Sequence, residues 1–155
     1  MTLTTTTHLN FRGTAREALE HYRAVFGGTL TTATYADLGA PQDVPGADRL
    51  VFGQLDTPDG LRLMAYDVPG EPAPGLAGPA GSTRRENGLT LTDRPFFQSL
   101  RGRSLDEVTP LWDGLAAGGQ VVEPLAASPW SPGFGMLTDR FGVTWVVDVE
   151  APRAG

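Results

Sequence analysis

The sequence predicts an α+β fold made of two βαβββ modules in tandem, and three observations carry that prediction. Two amphipathic helical stretches each stop at a glycine pair, Gly27-Gly28 and Gly118-Gly119. Strand-like runs, rich in β-branched and aromatic residues, follow each helix. At an offset of 82 residues the end of the first half also falls on the end of the second. Gly60 lies on Gly142, Leu61 on Val143, Leu63 on Trp145 and Met64 on Val146. One unit written twice, strand, helix and three strands, is the simplest reading.

In order along the chain, residues 4–11 alternate, with Leu9 and Phe11 on one face and Thr4, Thr6, His8 and Asn10 on the other. The helix that follows is expected to be capped by Thr14, with Glu17 completing a capping box. Its apolar stripe is Ala15, Ala18, Leu19, Tyr22, Val25 and Phe26. Strands are expected near residues 29–35, 49–55 and 61–66, the last two joined by the turn Thr57-Pro-Asp-Gly60. Residues 67–85 hold four prolines and four glycines and read as a mobile linker. The second half opens with a strand expected at 88–92, continues through a long connection at 93–103, and enters a helix capped by Ser104 and Glu107. Pro110 requires that helix to kink or to begin near Thr109. A short run at 134–137, a turn at 139–142 and a last strand to Val149 close the chain. The expected organisation is thus a single domain over 1–155, with module one at about 3–66, a linker at about 67–85 and module two at about 86–150. Each sheet would carry its helix on one face and leave the other free, and two free faces can close into a shared cup for a ligand.

Composition narrows the chemistry. With a formal net charge of −6 and only Arg84-Arg85 and Arg101/Arg103 as basic clusters, no nucleic-acid partner is expected. No run approaches the ~20 apolar residues of a membrane helix, and the first residues lack the pattern of a signal peptide, so no membrane partner and a cytoplasmic location are expected. The absence of cysteine removes thiolate metal sites and thiol nucleophiles, leaving His8 and His21 as the only imidazoles. His21 follows Glu17 by four residues and reads as part of a solvated helix face. No Gly-x-Ser-x-Gly elbow, Walker loop or dinucleotide fingerprint is present.

Two motifs carry a family resemblance: His8-Leu-Asn-Phe-Arg-Gly-Thr-Ala-Arg-Glu-Ala-Leu-Glu-His-Tyr-Arg-Ala-Val-Phe-Gly-Gly28 and Phe134-Gly-Met-Leu-Thr-Asp-Arg-Phe-Gly-Val-Thr-Trp145. On these residues the chain resembles the vicinal-oxygen-chelate superfamily of glyoxalase I, extradiol dioxygenases and bleomycin- or fosfomycin-resistance proteins. More closely, it is similar to the PhnB-like branch, often labelled 3-demethylubiquinone-methyltransferase-like. The resemblance implies the glyoxalase/bleomycin-resistance fold, a cup for a small ligand and a homodimer, but no single reaction.

Metal-using relatives take ligands from inward positions on the first and fourth strands of each module. Carried over, these are His8, Met64, Thr90 (or its neighbour Leu89) and Val146. One imidazole beside a thioether, a hydroxyl and an alkyl group is a poor set for a divalent ion, so no metal and no other cofactor is expected. The methyltransferase label would need a cofactor site that the sequence does not supply.

The expected ligand-binding residues are His8, Asn10, Met64, Tyr66, Thr90, Phe134, Val146 and Asp148, with His8 as the catalytic candidate if there is catalysis. Tyr66 and Asp148 occupy equivalent positions in the two modules, whereas Trp145, Leu63, Tyr22 and Trp112 read as core. Two functions stay open. One is a metal-independent, homodimeric small-molecule binding protein; the other is a lyase, isomerase or dioxygenase acting on a small oxygenated substrate.

Overall fold

A computed structural model describes residues 2–70 and 83–153. The chain divides into two compact units, Met1–Leu76 and Ala77–Gly155. Most of the expected linker, residues 71–82, lies outside the described residues. Among the described residues no helix is long and apolar enough to cross a membrane.

Module one runs β1 (Thr7–Phe11), α1 (Ala15–Phe26), β2 (Thr29–Thr34), a single 3-10 turn (Ala36–Leu38), β3 (Leu50–Asp56) and β4 (Arg62–Asp67). The sheet order is β1-β4-β3-β2, with β1 parallel to β4 and the other pairs antiparallel. Alternation explains the core: Leu9, Phe11, Leu55, Leu63 and Ala65 turn to one face and are buried with Ala15, Ala18, Leu19 and Tyr22 of α1. Strand β1 begins at Thr7 rather than at residue 4. His21 is half-buried, its ring centroid 6.0 Å from that of Tyr22, so it is not the solvated side chain its spacing suggests.

The start of α1 is built differently from the sequence expectation. Thr14 makes no side-chain cap bond. Buried Asp67, at the end of β4, accepts from the backbone N–H of Gly13 at 2.7 Å and Ala15 at 3.0 Å through Oδ1, and from Leu50 at 3.0 Å through Oδ2. A carboxylate outcompetes a hydroxyl for the orphan donors of a helix start, because its full charge meets the positive end of the helix dipole.

Module two repeats the topology with β7 (Gln98–Gly102), α2 (Leu105–Ala116), β8 (Gln120–Ser128), β9 (Ser131–Thr138) and β10 (Thr144–Val149). The order is β7-β10-β9-β8, with β7 parallel to β10. The strand expected at 88–92 is not part of this sheet. Leu89–Leu91 is β6, paired antiparallel with Arg84–Glu86, β5, as a two-stranded hairpin. Asn87 and Gly88, with φ of 52° and 77°, form its two-residue turn, the left-handed pair that such hairpins favour. The opening strand lies instead inside the stretch taken as a connection. His8 pairs with Met64 while Ser99 pairs with Val146, so the counterpart of His8 is Ser99 and not Thr90.

The expected capping box of α2 forms in half: Ser104 Oγ accepts from Glu107 N at 3.2 Å, while Glu107 Oε2 accepts from Arg103 N at 2.6 Å, one residue before the cap. The helix starts at Leu105 and carries Pro110 inside it. Nor is the face opposite α2 left entirely free. Thr90 Oγ1 reaches Met136 Sδ at 3.6 Å, and the Arg85 guanidinium sits 5.4 Å from the Phe134 ring centroid, which lays the hairpin on β9.

The glycine pairs that end the helices do a second job. A Cβ on Gly119 would stand 2.5 Å from the Thr138 carbonyl oxygen, and one on Gly28 would collide with the equivalent carbonyl of Asp56. Gly28 has a φ of +97°, whereas Gly119 has no positive φ, so Gly119 isolates the steric part. Gly119→Ala is expected to lower stability by about 1–3 kcal/mol in urea titrations, because backbone rather than a flexible side chain must yield. An unchanged midpoint would show that the helix end can move off β9.

Candidate functional site

On module one, the face of the sheet away from α1 carries His8, Met64 and Gln54 side by side on β1, β4 and β3, with Asn10 and Tyr66 paired one step along. His8 and Asn10 are exposed, and Met64 and Tyr66 half-buried. His8 Nδ1 lies 3.1 Å from Asn10 Oδ1, and its ring meets that of Tyr66 edge-on, with centroids 5.1 Å apart. An amide oxygen only accepts, so His8 Nδ1 is the donor in this contact. The contact orients the imidazole and leaves Nε2 available to a ligand.

A polar edge flanks this group. Gln54 Nε2 donates to Asp56 Oδ2 at 2.7 Å and Arg62 Nε donates to Oδ1, which hold the Asp56 carboxyl below its usual range, Gln54 first and Arg62 second. Behind Tyr66, the Tyr35 hydroxyl donates to the Asp67 carbonyl at 2.6 Å. Burial pushes that hydroxyl above its ordinary pKa, with smaller contributions from Tyr66 and Asp67.

Module two has its own counterpart. Its first row is Ser99, Val146, Met136 and Glu123; its second is Arg101, Asp148, Phe134 and Ala126. Asp148 is nearly buried and bound bidentately by Arg101, with Nε to Oδ1 at 2.8 Å and Nη2 to Oδ2 at 2.7 Å. Hydrogen bonding first and charge second raise the Arg101 pKa further. The carboxylate is therefore committed to a partner and is a weak candidate for a base. Trp130 is largely exposed and meets the Phe134 ring edge-on, with centroids 5.3 Å apart.

Of the eight residues expected from sequence, His8, Asn10, Met64 and Tyr66 come together on module one. Phe134, Val146 and Asp148 share a face of module two, which Thr90 joins through the β5–β6 hairpin rather than as a strand of that sheet. Sequence reasoning missed Ser99 and Arg101, assigned to a connection, together with Arg85 and Glu123. The glycine pairs could have found the first two: Gly27 falls on Gly118 at an offset of 91, and the same offset puts His8 on Ser99 and Asn10 on Arg101.

Three clefts, of about 570, 300 and 180 Å³, open elsewhere in the two modules. The largest lies between the start of α2 and residues 149–153, and none of the three is lined by His8, Tyr66 or Phe134.

The corrected register changes which residues stand at the positions that supply ligands in metal-using relatives. Module one offers His8 and Met64 at the inward pair, and module two offers Ser99 and Val146. Neither pair contains a carboxylate or a second imidazole, so the donor chemistry does not fit a divalent ion.

Residues 7–147, from β1 into β10, match the Glyoxalase/Bleomycin resistance protein/Dioxygenase superfamily. The chain belongs to that superfamily. A solved structure of protein PA1353 from Pseudomonas aeruginosa shares 32% identity with this superfamily member at a TM-score of 0.73, covering 96% of this chain and 98% of that one. Protein YjdN of Escherichia coli K12 is 24% identical over 149 residues, 92% of each chain. A PhnB protein from Bacillus cereus has the same fold at 22% identity and a TM-score of 0.67, covering 96% of this chain and all of that one.

Proposed function

We propose that this member of the glyoxalase/bleomycin resistance superfamily is a metal-independent small-molecule binding protein that works as a cytoplasmic homodimer without a cofactor. The observation that carries the reading is the face of module one opposite α1. There an apolar Met64 and Tyr66 surface meets one oriented His8–Asn10 pair, and the positions where a metal-using relative needs several hard donors supply a single imidazole. Apolar lining with a few placed polar groups is what small-molecule recognition requires.

A second reading, a lyase, isomerase or dioxygenase acting on a small oxygenated substrate, has one observation in its favour. The Nδ1 bond to Asn10 leaves His8 Nε2 as an oriented base. Tyr66, in contact with that ring, would orient the substrate, a role that Asp148 fills poorly while Arg101 holds it.

Two measurements test the proposal. Protein purified without chelators is expected to hold far less than one divalent metal per chain, and near-stoichiometric metal that is lost in His8→Ala overturns the metal-independent reading. In a thermal-shift panel of small apolar and oxygenated compounds, binders are expected to lose about tenfold in affinity in His8→Ala, the effect of one hydrogen bond. Turnover by the wild-type chain that disappears in His8→Ala while binding persists favours the enzyme.

A further inference from the structure

Strand β5 lays Arg85 over the sheet of module two in an arrangement that is short of one partner. The guanidinium stands 5.4 Å from the Phe134 ring centroid, and Nη1 donates to Thr90 Oγ1 at 2.9 Å. Only 14% of the side chain is exposed, against 64% for Arg101. Its Nε is sealed from solvent and has no hydrogen-bond partner among the described residues. The carboxylate in range, Glu123 Oε2, stays at 3.8 Å, too long for a hydrogen bond, and its side chain is 40% exposed. Arg101 and Asp148 show what a satisfied pair looks like in the same module, two parallel bonds of 2.8 and 2.7 Å. Arg85 has the fork, the desolvation and the aromatic support of such a pair, without the two-oxygen acceptor.

We infer that Arg85, with Phe134 and Trp130, forms a binding site for an aromatic carboxylate, for which Glu123 is a displaceable stand-in. This rests on the small-molecule reading above, adds a site on module two, and names the class of ligand taken there. The carboxylate supplies the planar acceptor that the fork lacks. The ring adds to an edge-to-face pair whose outer member, Trp130, is already 55% exposed to receive it. Glu123, held by no short bond, moves aside into solvent, where its charge is hydrated at little cost.

The test is calorimetric titration of the full chain with 1-naphthoate and with the neutral isostere 1-naphthamide. The wild-type chain is expected to bind the carboxylate about tenfold tighter than the amide, the discrimination of one charge-assisted fork. Arg85→Met should bring the carboxylate down to the level of the amide and leave the amide unchanged. Glu123→Gln, which removes the competing charge, should tighten the carboxylate severalfold. This second variant keeps the test sharp if Arg85→Met fails to fold, because a purely structural Arg85–Glu123 pair predicts no gain. Equal affinity for the two probes overturns the inference and leaves the small-molecule reading standing, as does a Glu123→Gln chain with unchanged or weaker carboxylate binding. Failure of both probes together with the whole thermal-shift panel removes the inference and the reading beneath it.

Discussion

Asp67→Ala is expected to lower the unfolding free energy by about 3–5 kcal/mol, with a clear drop in the urea midpoint followed by far-UV circular dichroism. One buried carboxylate satisfies three backbone donors, Gly13, Ala15 and Leu50, so its removal strands all three. It also takes away the negative charge at the positive end of α1. Asp67→Asn should cost less, about 1–3 kcal/mol. The amide oxygen can still serve the helix start, but its NH2 would then face the Leu50 N–H, donor against donor. An Asp67→Ala midpoint equal to the wild type would mean that Thr14 takes over the cap, as the sequence alone suggests.

Trp145→Ala is the second large effect, expected at about 3–5 kcal/mol. The indole is fully buried in the middle of module two and donates through Nε1 to Asp139 Oδ2 at 2.9 Å. Asp139 Oδ1 meanwhile accepts from Phe141 N at 2.9 Å and Val143 N at 3.0 Å, which shapes the turn before β10. Trp145→Phe separates the two contributions: it keeps most of the ring and removes the donor, so about 1–3 kcal/mol should be lost. If the phenylalanine variant loses as much as the alanine variant, the hydrogen bond to Asp139 rather than the packing governs the turn.

These sites show what can and cannot be read from a sequence. The core was legible because Leu9, Leu63 and Trp145 fall at period two and Ala15, Ala18, Leu19 and Tyr22 at helical spacing, and all are buried. Module two was misread at its opening because Gly88 to Thr92 alternates like a strand, while β7, Gln98–Gly102, has one apolar side chain and no β-branched residue. Pairing with β10 makes β7 a strand, and pairing is invisible to local propensity. The Asn87-Gly88 turn was the available signal that residues 84–91 close on themselves. On the candidate site, the His8 group was legible because both its strands were. Arg101 was hidden inside an apparent connection, and the Arg85 contacts depend on a hairpin folding back on its own module. The Asp67 cap was hidden too, since nothing within four residues of Thr14 points to a residue at the end of β4.

That cap also sets an order of events. Ala15 and Asp67 are 52 residues apart in the chain, whereas Ser104, Glu107 and Arg103 close the start of α2 within four. The first turn of α2 can find its acceptors as soon as it nucleates. The first turn of α1 gains its carboxylate acceptor only once β4 is in place, after the loop-closure entropy of the whole module has been met. The two halves share one topology, yet the second is suited to begin from its helix and the first to form its helix and sheet in a single cooperative step.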